Sequence, residues 1–481
     1  MRERARDPEL EYIFKHALTQ EAAYDLLLLK RRRELHRRAG EVLERLYVGR
    51  TDELAPVLAH HFWLGEDWAR AAEYALRAGA RARAVYALRE ALEHYQRARA
   101  ALDKLPDAPP EQVYNAILGW TFVAYRLGLH DQLLEPLQRA EAIARQLGDT
   151  ARLAEALAWI GNAHLLAGFP SRAVPVLRES SQLASALGDE RLSLLPLFMV
   201  SITQMDRDPR AALTQMDQVL ELARKYQVPD IEAHELALKG AAHARLGEFE
   251  RAQQAIEAAL AMLPRLNSAV KQADVYIGVG MAYIDMGEVQ RGVEYTRRGA
   301  EISLDAKGLD CACAGYVYTG VGDLRLPDLP SAQEALEQAA SLGEQLEGFE
   351  SSPLAAMAHG ALARVRFASG RVEAVDDMHA ALENARTLGD EYTAAVTAQA
   401  LGEAYARLSN DQRAEQHLST ALSYYRRHEL RPYLVGALQS LADVYEQQGR
   451  TAEALQARSE AEALAQELGR SAPAPSPATL G

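Results

Sequence analysis

The feature that most constrains this chain is an internal repeat with a period of about 40 residues. Leu-Gly-Asp triplets close segments at Leu147-Gly148-Asp149, Leu187-Gly188-Asp189 and Leu388-Gly389-Asp390. Inside each segment we expect a first helix to end at a turn residue, because glycine adopts the left-handed conformation there without steric cost. The turn residues are Gly128, Gly168, Asp208, Gly247, Gly287, Pro327, Gly370, Ser409 and Gly449. The repeat predicts one stacked array where the length of 481 residues alone would suggest about three domains.

Small residues recur at fixed distances from these turns. Seven residues before the turn stand Gly161, Ser201, Gly240, Gly280, Gly320, Ala363, Gly402 and Ala442, and five residues after it stand Ala173, Ala252, Gly292, Ala332, Ala414 and Ala454. Glycine inside a helix costs about 1 kcal/mol relative to alanine, so its recurrence needs a reason. We expect two helix backbones to approach each other closely at these positions.

The composition predicts an all-α fold. Alanine, leucine, glutamate and arginine dominate most windows, and aromatic residues make up only 7% of the chain. These abundant residues are strong helix formers, and the alternation of β-branched and aromatic residues that is typical of strands is missing. We therefore expect the whole chain to be helical.

The register of small residues, aromatics and turn glycines resembles the tetratricopeptide repeat (TPR), a helix–turn–helix unit of about 34 residues. The longer period resembles the TPR arrays of bacterial signalling ATPases. This resemblance implies an α-solenoid in which stacked repeats form a superhelix with an inner groove. We assign about nine repeats to residues 107–470 and expect the Pro/Ala/Ser-rich tail, residues 471–481, to be disordered.

The first hundred residues carry a second resemblance. Residues 1–50 predict a helical stub and residues 51–106 predict irregular helical pairs. The sequence Phe14-x-His16-Ala17-Leu18, with Tyr24, Leu35-His36 and His60-His61, resembles the junction between a signal-transduction ATPase module and its TPR arm. In that family the ATPase often follows a class III adenylate/guanylate cyclase domain.

The chain itself lacks the motifs of those enzymes. None of its seven lysines follows a glycine, so it has no phosphate-binding loop. We expect no catalytic, cofactor or metal site: Cys311 and Cys313 are two residues apart on a helix, and His60-His61 lacks the spacing of a zinc motif. We interpret both cysteines as buried structural thiols.

Charge is divided unevenly along the sequence. The net charge is −14, of which residues 1–50 carry +3 and the remainder −17. The basic run 30–38 is compatible with a site that binds nucleic acid or anionic lipid. We favour a solvated charged face or a contact with an ATPase module. The reason is an apolar stripe that would pack this helix on its neighbours, formed by Leu27, Leu35, Val42 and Leu46. The acidic balance, the two cysteines and the lack of a membrane segment predict a cytoplasmic protein that binds neither nucleic acid nor membrane.

The inner groove is the predicted binding site. By the TPR resemblance, its lining includes Phe122, Tyr125, Arg126, Asn162, Leu165, Phe198, Ile202, Met205, Ile277, Met281, Ile284, Val321 and Arg325. The same positions become polar toward the C terminus, for example at Gln399 and Glu403. An exposed apolar groove favours a protein or peptide partner. The alternative is that a tightly coiled array packs these residues against each other as core.

Two classes of function follow. The first is a non-enzymatic module that binds a protein or peptide in bacterial signal transduction, with an ATPase or cyclase module as a further partner in cis or in trans. The second is the C-terminal part of a truncated or split ATPase–cyclase, or of an ATPase-type transcriptional regulator. An in-frame phosphate-binding loop in the DNA upstream of Met1 would favour the second.

Overall fold

The chain forms an α-helical solenoid in a computed structural model. The structure describes residues 2–5, 11–13, 24–85, 87–127, 129, 132–166, 170–205, 207–326, 328–346 and 349–469. Within these ranges the chain forms 22 α-helices, two short 3₁₀ segments and one pair of short strands. The predicted all-α solenoid is confirmed.

The helices belong to two compact units. The first comprises Met1–Arg126 and Ala142–Leu147, and the second comprises Leu127–Glu141 and Gly148–Gly481. The domain boundaries expected from the sequence, at residues 50, 106 and 470, stay a prediction. The expected tail, residues 471–481, and the junction residues 14–23 lie outside the described residues.

The N-terminal strands depart from the expectation of a wholly helical chain. Strand β1 (Arg2–Ala5) pairs antiparallel with β2 (Glu11–Ile13). Tyr12 and Ile13 favour extended backbone, and Pro8, between the strands in sequence, disfavours a continuous helix because proline lacks the backbone donor.

Five helices follow in the first unit, and each packs on the next. They are α1 (Leu29–Leu46), α2 (Ala55–Leu64), α3 (Trp68–Ala84), α4 (Leu88–Leu102) and α5 (Pro110–Arg126). The helix α6 (Leu134–Leu147) is divided between the two units.

The docking of α1 corrects the expected apolar stripe. Leu35 and Leu46 are 38% and 51% exposed. The helix packs on α2, where Gly40 meets the Phe62 ring, and it also contacts α3 through Arg70, which pairs with Glu41 and Glu44 at 3.1 and 3.2 Å. The predicted stripe is therefore wrong at Leu35 and Leu46, which are exposed, whereas Leu27 and Val42 are partly buried.

The second unit continues with sixteen helices whose odd-numbered members are the first helices of the repeats. They are α7 (Thr150–Leu166), α8 (Pro170–Ala186), α9 (Glu190–Met205), α10 (Pro209–Lys225), α11 (Pro229–Arg245), α12 (Phe249–Met262), α13 (Ala269–Met286), α14 (Val289–Asp305), α15 (Leu309–Asp323), α16 (Leu329–Gly343), α17 (Pro353–Ala368), α18 (Ala374–Leu388), α19 (Glu391–Arg407), α20 (Asp411–Arg427), α21 (Arg431–Gln447) and α22 (Thr451–Glu467). Successive helices pack on each other, and from α7 to α21 each first helix also contacts the next first helix. The first helices therefore form one continuous layer.

The Leu-Gly-Asp triplets end one repeat and begin the next. Gly148, Gly188 and Gly389 have positive φ angles of 65°, 67° and 69°, which a glycine adopts without a steric penalty. The aspartates that follow cap the next helix: Asp149 Oδ1 accepts the Arg152 backbone N–H at 3.0 Å, and Asp390 Oδ1 accepts that of Thr393 at 3.0 Å.

The recurring small residues lie where the two helices of a repeat cross. A Cβ atom built on Gly280 would lie 2.7 Å from the carbonyl oxygen of Gly292 and 2.5 Å from Thr296 Cγ2. The same pairing, with a residue twelve positions later, recurs at Gly320 with the Ala332 oxygen at 3.2 Å and at Gly402 with the Ala414 oxygen at 3.1 Å. Close backbone approach thus explains the glycines.

We predict that Gly280→Ala lowers the free energy of unfolding by about 1–3 kcal/mol, since backbone atoms of α14 cannot give way to the new methyl group. The matched control is Gly436→Ala in α21, where the new Cβ would meet only Gln399 Nε2, at 3.7 Å. There the better helix propensity of alanine should stabilise the protein by up to about 1 kcal/mol. Urea unfolding followed by circular dichroism measures both, and destabilisation of the same size in both variants would contradict the close approach.

The second unit coils far enough for α10–α12 to contact α20–α22. Leu246, just after α11, belongs to the same buried cluster as Leu418 and Leu434. Arg210 of α10 pairs with Glu429 at 2.8 Å, and a Cβ on Gly247 would collide with Leu468 Cδ2. Repeats that are far apart in sequence are therefore in contact, and their first helices enclose a common space.

A carboxyl group lies in the apolar interior of α11. Glu235 is fully buried, and neither of its oxygens forms a hydrogen bond of ordinary geometry, although the Ser201 side chain is near enough to lower its pKa. The corresponding residues of the other repeats from α7 to α21 are apolar or small: Ala156, Pro196, Val275, Gly315, Ala358, Thr397 and Ala437. Burial raises the pKa of Glu235 to about 8 against the lowering influence of Ser201 and Lys239, so the side chain is protonated at neutral pH.

We predict that Glu235→Gln removes a pH dependence from the stability. The folded state holds the Glu235 proton up to about pH 8, whereas the unfolded chain releases it near the ordinary glutamate pKa of 4.5. Stability should therefore fall by about 1.4 kcal/mol per pH unit between these values, and Glu235→Gln should abolish that contribution. Glu334→Gln, at an exposed site of α16, is the control. Parallel stability–pH curves for the wild type and Glu235→Gln would refute the prediction.

Candidate functional site

The first helices of the second unit enclose a cavity. About 780 Å³ of empty space, part of it open to solvent, lies between α11, α13, α15, α17, α19 and α21. Its apolar lining includes Met281, Ile284, Val321, Met357 and Val396. A neighbouring pocket shares Ile284, Asp285, Arg325, Arg364, Val396, Ala400 and Tyr433 with it, so the two form one site, which we call the inner cavity.

Three charged residues form a ladder along one wall of the inner cavity. Arg245, Asp285 and Arg325 are spaced by 40 residues, so they occupy the same position in three successive repeats. Arg245 Nε lies 3.2 Å from Asp285 Oδ2, and Arg325 Nη2 lies 3.6 Å from Asp285 Oδ1. The Arg245 and Asp285 side chains are only 1% and 6% exposed, whereas 34% of the Arg325 side chain is accessible. Arg325 is thus the member of the ladder that the cavity can offer to a ligand.

Two tyrosines connect this ladder to the last repeats. The Tyr433 hydroxyl on α21 donates to Asp285 Oδ1 at 2.5 Å, and the Tyr392 hydroxyl on α19 lies 2.7 Å from the Tyr433 hydroxyl. The guanidinium of Arg245 lies 4.2 Å from the centre of the Tyr392 ring, a cation–π distance. Residues 148 positions apart in sequence are thereby held together.

A second charged pair lies on the neighbouring wall. Arg364 Nη2 on α17 is 3.3 Å from Glu403 Oε2 on α19. Gln399 donates from Nε2 to Glu403 Oε1 at 2.9 Å and accepts the Tyr425 hydroxyl at 3.0 Å. The described lining of the inner cavity thus contains three arginines and two carboxylates. This lining therefore has one more positively than negatively charged side chain, although the chain as a whole has a net charge of −14.

The surroundings of Tyr392, Tyr433 and Arg325 determine the protonation states of these three side chains. Burial raises the pKa of Tyr392 and of Tyr433, and Asp285 adds to both shifts, so both hydroxyls keep their protons. For Arg325, burial lowers the pKa, but Tyr433, Asp285 and Tyr392 raise it by more, and the net shift is upward. Arg325 therefore stays charged.

The structure places the thirteen sequence-predicted groove residues in different environments. Met281, Ile284, Val321 and Arg325 line the inner cavity. Leu165, Phe198 and Ile202 pack in one hydrophobic cluster, Met205 and Ile277 belong to another, and Asn162 is buried. Phe122, Tyr125 and Arg126 lie on α5 in the first unit, where Arg126 contacts both rings at 5.6 Å. The register thus located one edge of the inner cavity.

Sequence reasoning missed Arg245, Tyr392 and Tyr433. The sequence does show an alternation of charge at 40-residue spacing: Arg245 is followed by Asp285 and then by Arg325. Like positions of stacked repeats are neighbours, so that alternation predicts ion pairs. No comparable signal marks Tyr392 and Tyr433, because their contacts depend on the coiling of five repeats.

Other candidate chemistry has structural explanations. Cys311 and Cys313 are buried free thiols, and burial raises the pKa of Cys313 to about 12, which leaves it unreactive at neutral pH. His36 and His61 hydrogen-bond through their Nδ1 atoms at 2.9 Å, and burial lowers the pKa of both. Within the described ranges, no group of three His, Cys, Asp or Glu side chains is arranged to hold a metal ion. None of the helices in these ranges combines the length and apolar character needed to cross a membrane.

Comparison with known proteins supports the fold. No family model matches the chain. Outer dynein arm-docking complex subunit 4 of Homo sapiens is 23% identical over 129 residues, which are 27% of this chain and 19% of that protein. The chain thus spans about a fifth of the length of the curated relatives it matches.

The chain is similar to many solved structures, of which two are described here. A Rap protein complexed with Competence and Sporulation Factor matches with a TM-score of 0.55 and 14% identity, over 75% of this chain and 99% of that one. A Signal Transduction ATPase with Numerous Domains (STAND) protein with a tetratricopeptide repeat sensor, from Pyrococcus horikoshii, matches with a TM-score of 0.43 and 11% identity, over 76% of this chain and 55% of that one. The chain has the fold of TPR-like helical repeat solenoids.

We predict that Asp285→Asn lowers the free energy of unfolding by about 3–5 kcal/mol, because it removes the buried carboxylate that pairs with Arg245 and accepts the Tyr433 hydroxyl. Glu429→Gln is the matched control: it removes the exposed ion pair with Arg210, another contact between distant repeats, and should cost less than about 1 kcal/mol. Urea unfolding measures both variants. If both variants lost the same free energy of unfolding, burial would not explain the contribution of the Asp285 interaction to stability.

Proposed function

We propose that this chain is a non-enzymatic interaction module that binds a short peptide segment in the inner cavity. The observation that carries the proposal is the cavity itself: an apolar lining between six inner helices, with two accessible arginines and several side-chain amide and hydroxyl groups. Such a combination suits a ligand with apolar side chains and a polar backbone. The charged residues are engaged in pairing contacts that hold helices together, an arrangement that supports binding and not catalysis.

The neighbours in fold agree with this proposal. The Rap protein with a TM-score of 0.55 was solved in complex with Competence and Sporulation Factor. We extend this to a regulatory role for the present chain, in bacterial signal transduction, on the resemblance of its first hundred residues to the junction of signalling ATPases. An ATPase or cyclase module in cis or in trans is part of this proposal, as is a cytoplasmic location.

The predicted groove residues that lie outside the inner cavity are not part of the proposed binding site. Leu165, Phe198, Ile202, Met205 and Ile277 pack within the helical layers, as the alternative of a self-packed groove described. We therefore restrict the binding site to the segment between α11 and α21. A partner would enter this segment and would not follow the whole array.

We predict that filling the inner cavity abolishes peptide binding. Val396→Trp places an indole beside Ile284 and Ala400, whereas Val372→Trp makes the same substitution at a residue that is 53% exposed and outside the lining. The immobilised full chain would be incubated with a pool of randomised N-acetylated hexapeptides, and the retained peptides identified by mass spectrometry. The wild type and Val372→Trp should retain the same peptides, and Val396→Trp should retain at least about tenfold less of each. Equal retention by Val396→Trp would refute the site.

A further inference from the structure

We infer that the contact between His36 and His61 is a pH-sensitive switch: it holds the first half of α1 against α2 at neutral pH and releases it in mild acid. The first half of α1 comprises residues 29–38 and contains the basic run 30–38, to which the inner cavity assigns no role. Little else holds this segment among the described residues, the contact admits a limited number of protons, and the side chains around it are mostly basic.

The first half of α1 is attached to α2 by polar contacts. None of its side chains is buried, whereas the second half contains the buried Gly40. Besides the histidine contact, the described residues provide two attachments: Arg37 Nη2 donates to the Gly65 carbonyl oxygen at 3.0 Å, and Arg33 pairs with Glu66 at 2.8 Å. Both side chains of that ion pair are more than a third exposed, so the pair contributes little. The attachment of this segment therefore depends on the histidine contact.

The histidine contact has room for one proton between its two nitrogens. His36 Nδ1 lies 2.9 Å from His61 Nδ1, so one nitrogen donates its N–H and the other accepts it with a lone pair. When both imidazoles are protonated, every ring nitrogen carries a hydrogen, and two N–H groups face each other across this distance. A second proton therefore breaks the hydrogen bond and places two cations side by side.

The surroundings oppose protonation of the attached pair. Burial lowers the pKa of both His36 and His61, and the neighbouring His60 lowers it further. The His36 ring also lowers the pKa of His61. The described charged and titratable side chains on the segments that pack together here are mostly basic on α1: Tyr24 and Asp25 before it, Lys30, Arg31, Arg32, Arg33, Glu34, Arg37, Arg38, Glu41 and Glu44 on it, His60 on α2, and Glu66, Asp67 and Arg70 beyond α2.

The sign of the pH dependence follows from these shifts. Released histidines take up protons near their ordinary pKa of 6.5, whereas the attached pair takes them up only at lower pH. The attached state therefore loses stability as the pH falls below 6.5. Each proton that only the released state binds raises the equilibrium constant for release by up to about tenfold per pH unit. Carboxylates with ordinary pKa values titrate near pH 4, so acidification to about pH 5.5 acts mainly on histidines.

Distances between two spin labels in the full chain test the inference. Labels at Lys30→Cys, in the first half of α1, and at Val57→Cys, an exposed site on α2, would be measured by double electron–electron resonance at pH 7.5 and 5.5. The native Cys311 and Cys313 are buried and should stay unlabelled. The ratio of a longer-distance population to the attached one should rise about tenfold at the lower pH. Labels at Arg45→Cys, in the second half of α1, and Val57→Cys should keep one distance. An unchanged distribution for the first label pair overturns the inference.

Histidine variants assign the response to this contact. His61→Gln provides an amide that accepts a hydrogen bond from a protonated His36 and takes up no proton itself, so the label distances should be the same at both pH values. The matched control is His60→Gln, which removes the neighbouring exposed histidine and should keep the response, because the described contacts of His60 with the pair are ring contacts only. A response that persists in His61→Gln, or that disappears in His60→Gln, overturns the role of the His36–His61 contact. The measurement involves no peptide, so its result is independent of the proposed function.

Discussion

The buried contact between Asp285 and Tyr433 is the interaction on which the inner cavity depends. In a solenoid each repeat contacts its neighbours, and nothing in local stacking requires the fifth repeat to meet the ninth. Here the Tyr433 hydroxyl donates to the carboxylate that also binds Arg245, and both groups are almost wholly buried. Because the charge of Asp285 is compensated by Arg245 and hydrogen-bonded by Tyr433, its burial is tolerated. The coil is thereby fixed at one curvature, and the space between the inner helices has a defined size.

The same interaction links the fold to the proposed function. A buried ion pair contributes little net stability compared with apolar packing, because desolvation offsets the attraction between the charges. Its consequence in this chain is geometric: it closes the inner cavity at one end and holds Arg325 beside Tyr433. Arg325 is therefore held in place by contacts within the protein, and such preorganisation of a cavity lowers the entropic cost of binding.

The sequence predicts the local architecture well and the site only in part. The spacing of Gly280 and Gly292 reports a backbone contact within one repeat, so the helix pairs and their crossing follow from the register. The inner position of Met281 and Val321 follows from the same register. The contact of Tyr392 with Tyr433, and of both with Asp285, depends on small rotations that accumulate over several repeats, and no pattern within a single repeat records their sum. The short N-terminal strands were missed because residues 2–13 lie outside the repeat.

Glu235 and Asp285 show why burial alone does not identify a functional carboxylate. Both lie on first helices and both are buried, yet Glu235 forms no hydrogen bond of ordinary geometry and occupies a position that is apolar or small in other repeats. Burial raises the pKa of Glu235 to about 8, so the side chain is a neutral acid at neutral pH and forms no ion pair. Asp285 instead pairs with Arg245 and Arg325 and accepts the Tyr433 hydroxyl, and these contacts connect three helices and the turn after α15. The two carboxylates differ in what the neighbouring repeats place at the corresponding position. Beside Asp285 these residues are arginines, so its burial is compensated by ion pairs that join the helices around the inner cavity.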